Sequence, residues 1–157
     1  MKALEALGIE PGKGKYHEEV IYSLALIYSC LDDALSAYLD PHRLSLGKFN
    51  ILMVIKHRGR QEGIPQVEIS KHLIVTPSNM TKLLDKLEKA QLVTRSALAG
   101  DRRVNIIRIT RKGSELLDKV WPGYTKLLKD LMEGLKLPQQ KELAQLLTAW
   151  IDRLKRP

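Results

Sequence analysis

The sequence predicts a mainly α-helical fold with a small β-wing. Two observations carry this. Over most of its 157 residues, apolar side chains recur at steps of three and four, the spacing of one helix face. Between Leu92 and Thr110 the pattern changes to alternation, broken by Gly100-Asp101, a turn signal between two short strands.

Taken in order, residues 1–15 read as a loosely held arm. Gly8, Pro11, Gly12 and Gly14 interrupt any long helix, although Ala3 to Leu7 suffices for a turn or two. Tyr16 to Tyr38 reads as a long helix. Val20, Leu24, Ile27, Leu31, Leu35 and Tyr38 form its stripe, Ile21, Ala25, Tyr28 and Ala34 widen it, and Asp40-Pro41 ends it. A stripe this broad suits a helix shared between its own domain and a second subunit. Leu44 to Lys56 is the next helix, capped by Ser45, with a turn at Arg58, Gly59 and Gly63. Ile64 is assigned to a one- or two-residue strand. Pro65 to His72 is a short helix with Val67, Ile69 and Leu73 facing inward.

The stretch from Val75 to Thr110 organises the rest. Thr76 is placed to cap a helix with Pro77 at its first position, where no backbone N–H is needed. Met80, Leu83, Leu84 and Leu87 fall at i, i+3, i+4 and i+7 on one buried face. Ser78, Asn79, Thr81, Lys82, Asp85, Lys86 and Lys89 remain for the other faces. That polar, mostly basic set suits a helix laid in a DNA major groove, where Lys reaches guanine, Asn reaches adenine, and Ser and Thr reach bases or phosphates. Val104, Ile106 and Arg108 then alternate with Ile107 and Ile109 on the second strand, and Ser96 to Gly100 and Asp101-Arg102-Arg103 lie between the strands. Thr110 caps a helix that carries Gly113 in its first turn and runs toward Leu131, kinked or divided at Pro122. After Gly134 and Pro138, Gln139 to Lys155 forms a last helix with Leu143, Leu146, Leu147, Trp150, Ile151 and Leu154 on one face.

The formal net charge is +8, and its location carries the information. Residues 1–42 hold three Lys and seven Asp or Glu, and residues 114–157 hold eight Lys or Arg and six acids. Residues 43–113 hold fifteen Lys or Arg and five acids, a net +10. A basic face confined to one module is the electrostatic footprint of nucleic-acid binding.

A short helix, a tight turn, the helix after Thr76 and a two-stranded ribbon with a basic bend make a winged helix-turn-helix. Here the sequence resembles the MarR family of bacterial transcription regulators. The likeness rests on Ile69 to Leu73, Thr76 to Glu88, Leu92-Val93, Arg95, Asp101-Arg102-Arg103, Ile109-Thr110 and Gly113. It is close over Leu44 to Leu117, and the helical flanks follow by pattern. Three residues depart from the family: Ile74 and Gln91 stand where Gly is usual, and Ser70 where Ala is usual. A non-Gly residue at positive φ is strained, so the turn at Ile74 is expected to differ in shape.

The resemblance implies one domain over 1–157, with 43–113 as the DNA-binding part and 16–39 and 114–155 as helical dimerisation parts. It implies a homodimer acting as a ligand-responsive repressor at a pseudo-palindromic operator in double-stranded DNA, and the single cysteine fits a reducing, cytoplasmic setting. The contact residues it assigns are Ser78, Asn79, Thr81, Lys82, Lys86, Arg95, Asp101, Arg102 and Arg103. Asp101 braces Arg103, which enters the minor groove, and Arg102 lies on phosphate. The alternative is a winged-helix module that binds protein without sequence-specific DNA recognition. A small phenolic or other anionic effector is implied between the dimerisation helices and the winged helix, where Tyr38, His42 and Arg43 lie. Some members of the family sense oxidants through a cysteine in the first long helix. Cys30 occupies that helix, but Asp32 and Asp33 nearby oppose thiolate formation, so a packed or partly buried thiol is expected.

Other chemistry finds little support. Cys30 is the only cysteine, which excludes an intramolecular disulfide within this sequence and a four-cysteine zinc site. His17, His42, His57 and His72 form no pair or cluster with metal-ligand spacing, and no cofactor is expected. No nucleotide-binding loop or nucleophile motif argues for an enzyme. No uninterrupted run of about 18 apolar residues occurs, so no membrane span is expected. MKALEALGIE lacks the apolar core of a secretory signal.

Overall fold

The structure is a computed structural model. It describes residues 2–60, 62–73, 77–98 and 100–155, with the side chains of Lys2, Pro77, Ser78 and Arg102 outside that set. The expectations for Ile74, for the Thr76 cap and for the side chains of Pro77, Ser78 and Arg102 therefore lie outside the described residues. Two compact units result, Met1–Trp121 and Pro122–Pro157.

Among the described residues, seven helices and three strands follow in the order α1 (Lys2–Glu5), α2 (Tyr16–Leu39), α3 (Leu46–Gly59), β1 (Ile64–Pro65), α4 (Gln66–Lys71), α5 (Pro77–Lys89), β2 (Val93–Leu98), β3 (Asp101–Ile109), α6 (Arg111–Leu131) and α7 (Leu137–Leu154). A 3-10 turn, Asp40–His42, closes α2. The Ser45 hydroxyl accepts from the Lys48 amide at 3.4 Å and starts α3. Thr110 does the same for α6, accepting from the Gly113 amide at 3.0 Å. Pro122 lies inside α6, where it has no N–H to donate one turn back, and the division between the units falls there.

The strands form one antiparallel sheet in the order β1-β3-β2. Ile64 pairs with Ile107, Val93 with Ile109 and Arg95 with Ile107, and the ladder becomes irregular between Ala97 and Leu98. Phe49, Leu52 and Ile55 of α3, Ile69 of α4, Met80, Leu84 and Leu87 of α5, and Ile107 of β3 are each at most 1% exposed. These side chains form one core that fixes the angle between α4, α5 and the hairpin.

Several expectations need correction. Val67 does not face inward; it is 62% exposed while Ile69 is fully buried. At 3.6 residues per turn, two positions apart are separated by about 200°, so Val67 and Ile69 cannot share a face. Arg58 and Gly59 belong to α3 rather than to a turn. The helix runs on because the Gly63 amide donates to the Gly59 carbonyl at 2.7 Å and Ile64 packs on Gly59. Ser96 to Leu98 continue β2 rather than forming a loop. Arg108 stands exposed, outside the apolar side of β3, and its Nη1 donates to the Ser96 hydroxyl at 2.7 Å. The N-terminal arm is tied down: Ile9 is 5% exposed and the Gly12 amide donates to Glu19 Oε2 at 3.1 Å.

Cys30 is exposed, not packed. The reason is that α2 buries only Leu35 and Leu39, while Val20, Ile21, Ile27 and Tyr28 remain open. By length and mean hydropathy, 1.4, Tyr16–His42 would suffice to cross a membrane. Asp32 and Asp33 near its middle make that costly, since charges deep in a bilayer are expensive.

Candidate nucleic-acid interface

The amphipathic pattern of α5 determines what it presents. With Met80, Leu84 and Leu87 turned into the core, Asn79, Thr81, Lys82, Lys86 and Lys89 are exposed, and Leu83 and Asp85 are half-buried at the flanks. Gln66 at the start of α4 donates from Nε2 to the Thr81 hydroxyl at 3.3 Å, tying the two helices together. Met80 and Thr81 also line a groove of about 350 Å³ with Gln66, Val67 and Ser70 of α4 and Arg103, Val104 and Asn105 of β3. The fold thus brings Thr81 and Arg103, 22 residues apart in sequence, to one groove.

The C-terminal end of α5 is locked. Gln91 takes a left-handed φ of 60°, a conformation a non-Gly residue adopts at a cost. Its neighbours hold it there. The Gln91 carbonyl accepts from the Thr110 hydroxyl at 2.8 Å, the Ala90 carbonyl accepts from Lys112 Nζ at 2.9 Å, and the Thr110 amide donates to the Leu92 carbonyl at 3.0 Å. Gly113 is required at this joint. A Cβ there would run into the Leu92 carbonyl oxygen and meet Ile109 Cγ1 at 2.9 Å. The departure from Gly at position 91 therefore leaves the left-handed turn in place.

The wing leaves this joint as β2 and returns as β3. Gly100 adopts φ 88° at the bend. Asp101 Oδ1 accepts from the Arg103 backbone amide at 2.9 Å, so the carboxylate fixes the backbone that carries Arg103. Asp101 and Arg103 are both exposed. Arg95 behaves differently. Its guanidinium is turned back onto α5, 2.7 Å from Asp85 Oδ1, and the side chain is 24% exposed. Sequence reasoning placed Arg95 among DNA contacts and missed Asp85 and Glu88 as its partners. Their i, i+3 spacing on α5 was visible, but nothing local predicts which strand residue meets them. Gln66 and Asn105 were missed for the same reason.

The residues proposed for an effector are only partly gathered. The rings of Tyr38 and His42 lie 5.8 Å apart at 56°. The Tyr38 hydroxyl donates to the Val120 carbonyl at 2.8 Å. Arg43, at φ 57°, borders an open hollow with Ser36, Asp40, Leu44, Ser45 and Lys48, which Tyr38 and His42 do not line. Among the described residues no group of three or more His, Cys, Asp or Glu could hold a metal ion.

Residues 44–104 match the model of the MarR family. The transcriptional regulator MhqR of Bacillus subtilis is 29% identical over 112 residues, covering 71% of this chain and 75% of its own. Sco3205 of Streptomyces coelicolor, a MarR family transcriptional regulator solved in complex with DNA, superposes with a TM-score of 0.83 at 21% identity, covering 94% of this chain and 93% of its own. Bordetella bronchiseptica BpsR, whose DNA binding is regulated by 6-hydroxynicotinic acid, superposes with a TM-score of 0.77 at 17% identity over 84% of this chain and 98% of its own. MhqR is named an HTH-type transcriptional regulator. With α4, α5, the wing and the flanking helices in the expected order, the chain carries a winged helix-turn-helix fold whose residues 44–104 match the MarR family.

Proposed function

We propose that the protein is a cytoplasmic, homodimeric repressor that binds a pseudo-palindromic operator in double-stranded DNA. The observation that carries this is the outward face of α5. Asn79, Thr81, Lys82 and Lys86 stand exposed on a helix braced from behind by Met80, Leu84 and Leu87, inside the segment that holds the whole basic excess. In this reading α5 enters the major groove. Asn79 and Lys82 read base edges, and Ser78, Thr81 and Lys86 reach bases or phosphates. The wing follows the backbone with Arg102 and sends Arg103 into the minor groove, positioned by Asp101.

A dimer supplies the second half-site, with recognition helices about 34–36 Å apart. Support for it comes from apolar side chains that find no cover in their own unit. Val20, Ile21, Ile27 and Tyr28 of α2 are all more than 45% exposed, as are Leu146, Ile151 and Leu154 of α7. Residues 16–39 and 114–155 are the dimerisation parts, and 43–113 is the DNA-binding part. Regulation by a small aromatic anion near Arg43, His42 and Tyr38 completes the proposal, in line with the control of BpsR by 6-hydroxynicotinic acid.

Operator-binding isotherms across a salt series test the interface. Arg103→Ala should weaken binding and flatten the slope of log K against log salt, by up to about 0.9, because a cation in the electronegative minor groove also displaces condensed counterions. Unchanged affinity and slope would remove the wing from the interface. Asn79→Ala and Lys82→Ala should instead cost discrimination, by about 1–3 kcal/mol for the base each one reads.

A further inference from the structure

We infer that Arg95 does not contact DNA but is a positioning residue that sets the angle between wing and recognition helix. The inference rests on the DNA-binding reading above and deepens it. Arg95 lies on β2, opposite Ile107 of β3, so its backbone is held by the central strand of the sheet. Its side chain reaches back to α5 and is 24% exposed, in contrast to the exposed Arg103 and Arg108 of the same hairpin. Nη2 donates to Asp85 Oδ1 at 2.7 Å. Nε lies 3.8 Å from Glu88 Oε2, and is buried without a hydrogen-bond partner among the described residues. A guanidinium presents its donors in a rigid plane, so one that faces two carboxylates on consecutive turns of a helix fixes orientation as well as distance. Asp85 and Glu88 are spaced i, i+3 and lie on one side of α5.

The consequence is geometric. Asn79 and Lys82 lie toward the start of α5, and Arg103 lies far along the wing. Both ends meet one duplex only if the angle between helix and hairpin is held. The core sets that angle near the base of the hairpin, where Leu92 and Val93 are buried. Beyond Arg95, β2 carries only exposed residues, Ser96, Ala97 and Leu98, so the Arg95 bridge is the last side-chain tie from β2 to α5 among the described residues. A flexible wing engages the minor groove less often, and the loss falls on affinity.

The test uses the sign of an electrostatic effect. Asp85→Asn removes a negative charge from the face turned toward DNA. If Arg95 touches phosphate, that change frees it and strengthens binding. If Arg95 is a strut, Asp85→Asn weakens operator binding about three- to tenfold, although the protein has become more positive. Arg95→Gln should produce a similar loss with no change in salt slope, since no phosphate contact disappears. The double variant should bind no worse than the weaker single variant. Hydroxyl-radical footprints should lose minor-groove protection at the wing and keep it along the recognition helix.

A DNA-free measurement separates this inference from the function it rests on. Amide hydrogen exchange of residues 93–109 should accelerate in both single variants while the core helices stay protected. Tighter binding by Asp85→Asn, or a slope lowered by about 0.9 in Arg95→Gln, would overturn the positioning role. Wild-type protein that binds no operator, with the wing nevertheless loosened in both variants, would overturn the proposed function and leave the strut standing.

Discussion

The winged segment and the long flanking helices use the same kinds of residue to opposite ends. In α3, α5 and β3 every stripe of large apolar side chains meets another stripe of this chain, and Phe49, Leu84 and Ile107 are at most 1% exposed. In α2 and α7 the stripes are as regular, yet Tyr28 is 70% exposed and Leu146 63%. The difference lies in the partner and not in the pattern. Periodicity tells which face of a helix seeks burial, and it is silent about what covers that face. Where the chain supplies the cover, a core results. Where it does not, the apolar face remains as surface, and on α2 and α7 that surface supports the proposed second copy as its cover.

The largest effects belong to the core of the winged segment. Leu84→Ala should cost about 2–5 kcal/mol, because a fully buried side chain leaves a cavity between α5 and the sheet. Urea unfolding followed by circular dichroism measures it, and a loss below about 1 kcal/mol would mean that the core is not packed as described. Gly113→Ala comes next. Its methyl group would collide with backbone at Leu92, which cannot swing aside as a side-chain tip can, and overpacking of this kind costs about 1–3 kcal/mol. The same unfolding experiment should show it, together with weaker DNA binding, since this joint aims the wing.

The flanking helices should respond in another way. Ile27→Asp places a charge on the exposed stripe of α2. Little should change in the fold of an isolated chain, because surface substitutions there stay within about 0.5 kcal/mol. Sedimentation should instead reveal a shift from dimer to monomer, and a dimer unaffected by the charge would place the interface elsewhere. The smallest effect belongs to Glu68. The hydrogen bond from Lys71, at 2.6 Å, holds its carboxyl below the ordinary glutamate range. The stabilisation is present above that ordinary range and is lost as pH falls through the lowered value. Both side chains are open to water, so Glu68→Gln should leave the melting temperature at neutral pH unchanged within error.

How much of this was legible in the sequence follows from the range of each interaction. Helix faces, the Ser45 and Thr110 caps, the Gly100 bend and the basic segment are set by neighbours a few residues apart, and each can be read from spacing. Val67 was misread because a helix of only six residues, α4, gives too little pattern to fix its phase. Gln91 adopts a left-handed turn despite having a Cβ, because Thr110, Lys112 and Gly113 close around it from 19 to 22 residues away. The partners of Arg95 were hidden likewise. A charged residue on a strand shows no preference in sequence for water, phosphate or carboxylate until the sheet has delivered it to a helix. Ser78 and Arg102, whose side chains lie outside the described residues, remain assigned from the sequence alone.

Selection of random-sequence duplexes by the full chain at near-physiological salt, followed by sequencing, tests the central claim most directly. A dimeric operator-binding protein should recover an inverted repeat whose half-sites are about one helical turn apart, as two copies of α5 on a two-fold axis require. Weak, salt-sensitive binding without a motif would contradict it, and would assign the basic face of residues 43–113 to a partner other than an operator.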